Sequence, residues 1–449
     1  MSENSWILEK LGEVEKDEFL VFKDRIYSYS DLISNINTWR SKLKRLGVAE
    51  GECVALIGDY SPNIIFLFLA LVLNKNIIVP IGRESQDKLD EMLSVAKVNK
   101  CFQFDTEDNW EFTIAAEISD SPLLDVLRRE RESGIIIFTS GTSGKSKAAV
   151  LNTSKLIEKY QISKRKPFRT LIFLKLDHIG GINTLFSIMF NGGTIITSEG
   201  RTPQAVCEVI QNQRVELLPT TPTFLNMLLM ARSYESYDIS SLKIITYGTE
   251  PMPQSTLNSV NRLFPLVTLK QTYGLTELGI FSTKSKDNHS NWLKVGGKGI
   301  ETKIVDNTLW IKASSAMLGY LNAPSPFDEN GWYNTGDEVE VDGEYIRILG
   351  RKSEIINVGG EKVYPAEVES VLLEIPNIKD VLVTGKRSPI TGQIVTAAVV
   401  LEQPEEIKDL KKRIIEYCKI RLLPYKIPTI ITISDKELVS ERFKKMRCI

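Results

Sequence analysis

Short apolar runs of strand length alternate with helix-length segments twice along this chain, and that alternation constrains the fold more than any other feature. In residues 21–80, Val21-Phe22 and Ile26-Tyr27-Ser28-Tyr29 flank a Lys23-Asp24 turn. Ser30 or Asp31 then stands where a helix cap is needed, ahead of Leu32, Ile33, Ile36, Trp39 and Leu43 at helical spacing. Val54-Ala55-Leu56-Ile57 reads as a buried strand, residues 64–73 as a buried helix, and Ile77-Ile78-Val79-Pro80 as the next strand. Residues 170–245 repeat the pattern: a strand at 171–174, a helix near 184–189, a strand at 194–197, a helix from Pro203, and strands at Leu217-Leu218 and Ile244-Ile245. Strands separated by helices pair in parallel through crossovers, so the fold class is α/β with mainly parallel, doubly wound sheets.

The texture changes after Asp337. Val339-Glu340-Val341 and Tyr345-Ile346-Arg347-Ile348 flank Asp342-Gly343, a type I′ hairpin signal. From Tyr364 a small α+β unit follows: a helix from Pro365, strands at Val381-Leu382-Val383 and 395–400, and a helix over Ile407–Arg421. A length of 449 residues calls for two or three domains.

Composition removes several function classes. A net charge of -1 gives no global case for nucleic acid or an anionic membrane as partner. The five cysteines lack C-x-x-C spacing and there are only two histidines, so neither a disulfide framework nor a His- or Cys-built metal centre is expected. Residues 1–5 lack the basic-then-apolar layout of a signal peptide, and the apolar stretch 64–73 is too short to span a bilayer. The expectation is a cytoplasmic protein without a membrane span.

The chemistry concentrates in residues 135–147. The apolar run Ile135-Ile136-Ile137-Phe138 opens into Thr139-Ser140-Gly141-Thr142-Ser143-Gly144-Lys145-Ser146-Lys147. Glycines let backbone N–H groups crowd an anion, hydroxyls add donors and lysines add charge, which suits a polyphosphate. A P-loop ending at Ser146 would need glycine at Thr139 and a helix to follow. Instead Ala148-Ala149-Val150-Leu151 is strand-like, so this is a phosphate loop between two strands.

That arrangement resembles the signature loop of the adenylate-forming (AMP-binding) superfamily, specifically its acyl- and aryl-coenzyme A ligase branch, with Ser146 for the usual proline and Ala148 for the usual glycine. The resemblance runs from about Val21 to Arg447. It implies a large N-terminal domain, residues 1–350, of two doubly wound α/β subdomains plus a small β-barrel. A small mobile α+β domain, residues 351–449, is implied to follow.

Further motifs take their roles from the same resemblance. In Gln271-Thr272-Tyr273-Gly274-Leu275-Thr276-Glu277, Tyr273 lies against adenine, Thr276 reaches a phosphate and Glu277 ligates Mg²⁺, a hard cation that takes few protein ligands. Gly248, Thr249 and Glu250 line the adenine pocket. Asp337 accepts from both ribose hydroxyls and Arg351 also touches the ribose. Thr139, Ser140, Gly141, Thr142, Ser143, Gly144 and Lys147 hold ATP phosphates. Ser353 is the hinge, where the family has Asp or Lys, and Gly359-Gly360 passes a pantetheine arm. Phe443-Lys444-Lys445-Met446-Arg447 resembles G-K-x-x-R, which assigns the catalytic lysine to Lys444, with Lys445 one register away. His178 stands beside the acyl pocket. The implied activity is ATP-dependent activation of a small carboxylic acid through an acyl-adenylate, with pyrophosphate released, then acyl transfer to coenzyme A. Alternatives are transfer to the pantetheine of an acyl or peptidyl carrier protein, an amino-acid substrate held through Asp177, and a nucleotide-binding protein without catalysis.

Overall fold

The computed structural model describes residues 5–14, 18–82, 84–115, 121–140, 146–162, 166–435, 438, 440 and 445. Two parallel-type sheets form the large part of the molecule. The first runs, edge to edge, Gly319–Tyr320, Ser146–Asn152, Gly134–Ser140, Ile77–Ile81, Cys53–Ile57, Lys100–Phe104 and Trp110–Ile114. The second runs Thr268–Gln271, Ile244–Tyr247, Leu217–Thr220, Arg169–Leu171, Thr194–Ile196, Leu20–Phe22 and Arg25–Tyr27. Between them lies a core that includes the helix Pro62–Leu73, buried on nearly every side. Ser61 caps that helix by accepting from the Ile64 N–H, and Pro62 enters at the first turn, where its missing N–H costs nothing.

The expected alternation is present, but its first strand belongs elsewhere. Leu20–Phe22 pairs in parallel with Thr194–Ile196, so the N-terminal hairpin completes the second sheet. Periodicity reports a strand and not its partner. The helix that follows, Tyr29–Arg45, starts earlier than Ser30 or Asp31 suggested. Ser28 is its cap, in a reciprocal box with Asp31. The buried Tyr29 hydroxyl donates to the Gly193 carbonyl at 2.8 Å, tying the first turn to the second sheet. The strand expected at 171–174 ends at Leu171.

A six-stranded antiparallel sheet follows, in the order Ser282–Ser285, Trp292–Gly296, Tyr345–Arg351, Tyr333–Asp342, Thr308–Ala313 and Ile300–Val305. Its hairpin loop is Gly343-Glu344, with positive φ at Gly343 alone, the pattern of a type II′ turn and not type I′. The small C-terminal unit packs helices Pro365–Leu372 and Ile407–Arg421 on a sheet centred on the Ile378–Ser388 and Gly392–Leu401 hairpin. It rests on the large part through Glu338. Burial pushes this carboxyl up, but bonds from Lys362 (2.6 Å) and the Tyr364 hydroxyl (2.6 Å) outweigh that and hold it below the usual glutamate range. No described helix is long and apolar enough to cross a membrane.

Candidate active site

A cavity of about 500 Å³ opens where the hairpin of the first sheet, the helix Ile179–Phe190, the second sheet and the six-stranded sheet converge. Strands Gly134–Ser140 and Ser146–Asn152 are antiparallel, with Thr139 opposite Lys147 and Ser140 opposite Ser146. Thr139 and Lys147, paired at the end of these strands, line the cavity. Gly141, Thr142, Ser143 and Gly144 lie outside the described residues, as does the side chain of Ser140.

Across from this hairpin, Thr276 and Glu277 also line the cavity. Glu277 is only 9% exposed and accepts the Tyr320 hydroxyl at 2.5 Å. The Lys147 ammonium stands 5.2 Å from the centre of the Tyr320 ring. Burial first, then the nearby Glu277, pushes the phenols of Tyr320 and Tyr333 well above the usual tyrosine value, so both stay protonated donors. Tyr320 and Tyr333 are cavity residues that the sequence reading passed over. A single Tyr after Gly319 carries no periodic signal, and the strand that places it pairs with Ala149 and Val150 from far along the chain.

Gly248 and Thr249 reach the cavity from the end of the strand Ile244–Tyr247. A side chain at Gly248 would place Cβ 2.5 Å from Thr272 Oγ1, so glycine is required for this backbone approach. Thr249 holds φ at +76°, a strained value for a β-branched residue. Glu250 does not line the cavity. Its carboxylate accepts the Thr223 N–H at 2.8 Å, capping the helix Pro222–Ala231, and the Lys445 N–H at 3.4 Å.

Tyr273 and Asp337 also stand behind the cavity wall. The Tyr273 hydroxyl donates to Asp337 Oδ2 at 2.5 Å, and Arg351, which does line the cavity, brings Nε to 3.5 Å from Oδ1. Burial raises the Asp337 carboxyl, while Arg351 and Tyr273 act against that. His178 lines the cavity and caps the helix Ile179–Phe190, its Nδ1 accepting the Gly180 N–H at 3.0 Å. Asp177, two residues after Lys175, lines a second cavity with Tyr60 and Arg201 instead, which removes the basis for an α-ammonium site in the first.

Ser353 lies in the single 3₁₀ turn Lys352–Glu354 that links the six-stranded sheet to the small unit. Gly359 and Gly360 form an exposed hairpin tip with φ of +63° and +94°, away from the cavity walls. Lys444 lies outside the described residues. Lys445 is described, and its ammonium turns back into the small unit, bonding to Asp380 at 2.5 Å and to the Val381 carbonyl.

Glu277 is the one carboxylate among the described residues that line the cavity, and among the described residues no group of three or more His, Cys, Asp or Glu is placed to hold a metal. A single buried carboxylate in the same cavity as Thr139 and Lys147 nonetheless suits Mg²⁺, which takes most of its ligands from phosphate and water.

The family model described as AMP-binding enzyme matches residues 9–321, and that described as AMP-binding enzyme C-terminal domain matches residues 367–445. An indoleacetate–CoA ligase of Aromatoleum aromaticum is 29% identical, covering 97% of this chain and 95% of its own. A 2-succinylbenzoate–CoA ligase of Bacillus pumilus is 27% identical, with the same coverage of 97% and 95%. Among solved structures, an anthranilate CoA ligase in complex with anthranoyl-AMP superposes with a TM-score of 0.80 at 20% identity, covering 98% of this chain and 95% of that one. The matched segments contain the paired strands Gly134–Ser140 and Ser146–Asn152, Glu277, and most of the small unit that rests on Glu338. The chain belongs to the AMP-binding enzyme family.

Proposed function

We propose that this chain is an ATP-dependent acid–thiol ligase that forms an acyl-adenylate with release of pyrophosphate and then passes the acyl group to coenzyme A. The observation that supports it most directly is convergence. Thr139, Lys147, His178, Gly248, Thr276, Glu277 and Arg351 are scattered over nearly half of the sequence, yet all line one cavity. The names of full-length relatives favour free coenzyme A over a carrier-protein pantetheine.

In the first half-reaction a carboxylate oxygen attacks the α-phosphorus and pyrophosphate leaves. The hairpin base at Thr139 and Lys147, with the loop between them, holds the polyphosphate. Glu277 would hold Mg²⁺, which would supply charge neutralisation. Tyr320 fixes the Glu277 carboxylate by its hydroxyl bond. Gly248 and Thr249 leave room for the base, while Arg351 and Asp337 read the ribose, Arg351 from the cavity and Asp337 from behind it. Lys444 stabilises the charge that builds between the acyl and α-phosphate oxygens. The alternative register is disfavoured because the Lys445 ammonium is committed to Asp380. The work is positioning and electrostatics, with no covalent bond to the protein. In the second half-reaction the small domain, residues 351–449, turns about Ser353 and brings Gly359-Gly360 to the cavity, where bare backbone lets the pantetheine thiol pass.

The test is product analysis. Incubation with ATP, Mg²⁺, coenzyme A and a panel of small acids should yield AMP and an acyl thioester in equal amounts. ADP as the nucleotide product, or no acid-dependent turnover on any member of the panel, contradicts the proposal.

A further inference from the structure

Two neighbouring carboxylates on the strand Tyr333–Asp342 serve different partners. Successive side chains leave a strand on opposite faces, so Asp337 meets Tyr273 and Arg351 while Glu338 turns toward the small unit. Glu338 does not line the cavity.

The same alternation places its partners. Val363 is fully buried in the core of the small unit, which puts its neighbours Lys362 and Tyr364 together on the other face of the chain. The Lys362 ammonium donates to Glu338 Oε1 and the Tyr364 hydroxyl to Oε2, so both carboxylate oxygens are used on a side chain that is 1% exposed. Gly350 stands opposite Glu338 in register and holds φ at +153°, a value that favours glycine. A Cβ there would stand 3.7 Å from the Tyr364 ring, so that ring lies beside a bare stretch of strand.

Both partners lie beyond Ser353. They sit on, or just after, the return strand of the hairpin formed by Ile356–Val358 and Glu361–Val363, whose tip is Gly359-Gly360. A turn about Ser353 that brings this tip to the cavity carries the hairpin off Glu338 and breaks both bonds. Further contacts join the small unit to the large part in the arrangement seen. The Ser255 N–H donates to Ser370 Oγ at 3.2 Å. The Lys445 N–H donates at 3.4 Å to Glu250, which follows the cavity residue Thr249. Lys445, the residue after Lys444, is thus held close to the cavity wall while the Gly359-Gly360 tip stays away from it. The serine contact is neutral and the Lys445 contact long. The Glu338 bonds are short, charge-assisted and buried, which makes them the strongest of these.

We infer that Glu338 is a positioning residue for the first half-reaction. Through Lys362 and Tyr364 it holds the small unit in the adenylate-forming arrangement and keeps the Gly359-Gly360 hairpin out of the cavity until those bonds break. The inference rests on the two-step reading. It adds that the balance between the half-reactions is set by a carboxylate outside the cavity.

The experiment reads the docked arrangement without turnover. The Ser255 and Ser370 hydroxyls are 3.2 Å apart, near enough for cysteines at these positions to bridge while the units are docked. Disulfide formation in full-length Ser255→Cys/Ser370→Cys, with Cys448→Ser to remove a competing thiol, is timed with and without Glu338→Gln or Tyr364→Phe. Melting temperatures are taken beside it. Tyr364→Phe keeps the ring and removes only the hydroxyl, so it decides the matter if Glu338→Gln does not fold. Bridging should slow by fivefold or more in either variant. Without the added cysteines, acid-dependent pyrophosphate exchange should fall fivefold or more, while thioester synthesis from supplied acyl-adenylate is unchanged or faster. Bridging as fast as in the parent, or exchange that falls no more than thioester synthesis, would overturn the inference and leave the activation reading standing. Slower bridging in a protein that exchanges with no acid upholds Glu338 as the residue that docks the small unit and removes the activation reading. Unchanged bridging with no exchange removes both.

Discussion

Tyr273 and Asp337 meet at 2.5 Å behind the cavity wall, the phenol donating to a carboxylate that is 6% exposed. The contact joins the segment after the second sheet's last strand to the six-stranded sheet, and Arg351 closes it from the cavity side. In the proposed reading Asp337 would meet a ribose only as part of this three-residue group.

The pH dependence follows. Burial raises the Asp337 carboxyl above the ordinary aspartate value, with Arg351 and Tyr273 lowering it in part. A raised folded-state value means that proton uptake favours the fold, and the buried charge costs stability as pH rises through that value. Ribose recognition needs the charged form, so ATP affinity is lost on acidification at a higher pH than an ordinary aspartate would impose, without unfolding at this site. ATP binding followed by calorimetry from pH 4 to pH 7 should show this limb in wild type and not in Asp337→Asn. The same limb in Asp337→Asn would assign the titration to another group.

The two adjacent lysines of the tail should behave differently. Lys444→Ala should lose roughly 3 kcal/mol of transition-state stabilisation in adenylate formation and keep thioester synthesis from supplied acyl-adenylate. Lys445→Ala breaks the bond to Asp380, where the lysine side chain is 7% exposed, and should cost about 1–3 kcal/mol of stability in the small unit. Its effect is read in melting temperature and falls on both half-reactions. The reverse assignment would be established if Lys445→Ala alone blocked adenylation.

Glu277→Gln keeps size but removes the charge for Mg²⁺. The Mg²⁺ concentration for half-maximal activity should rise by ~10-fold or more, with little change in melting temperature. Tyr320→Phe removes the hydroxyl that orients Glu277 and should cost about 1 kcal/mol by the same readout. A Mg²⁺ dependence unaltered in both variants would show that the metal is held elsewhere.

Ser353→Pro fixes φ near −65° in the linking turn. If Ser353 is the pivot, pyrophosphate exchange survives and thioester synthesis falls by orders of magnitude. Equal loss in both steps with a lowered melting temperature points to misfolding, and loss in neither places the pivot elsewhere.

How far the sequence reveals this molecule depends on the range of each interaction. The helix Ile407–Arg421 and the neighbouring strands Gly134–Ser140 and Ser146–Asn152 are local, and spacing suffices to read them. The pairing of Leu20–Phe22 with Thr194–Ile196 is not, because alternation carries no address for a partner strand. The same limit hid Tyr320, whose approach to Glu277 depends on a two-residue strand docked beside Ala149 and Val150. Motifs mark residues in the sequence, but not how deep each side chain lies. Each of Tyr273, Asp337 and Glu250 has a protein partner that the motifs do not assign to it: Asp337 for Tyr273, Arg351 for Asp337, and the Thr223 N–H for Glu250.

The central claim is that this cavity joins a carboxylic acid to the α-phosphate of ATP. Exchange of labelled pyrophosphate into ATP in the absence of coenzyme A reads that step alone. The account predicts exchange that depends on both Mg²⁺ and an acid and that collapses in Lys444→Ala. Exchange that proceeds without acid, or wild-type protein that binds ATP but exchanges with no acid in a broad panel of mono- and dicarboxylates, would contradict it.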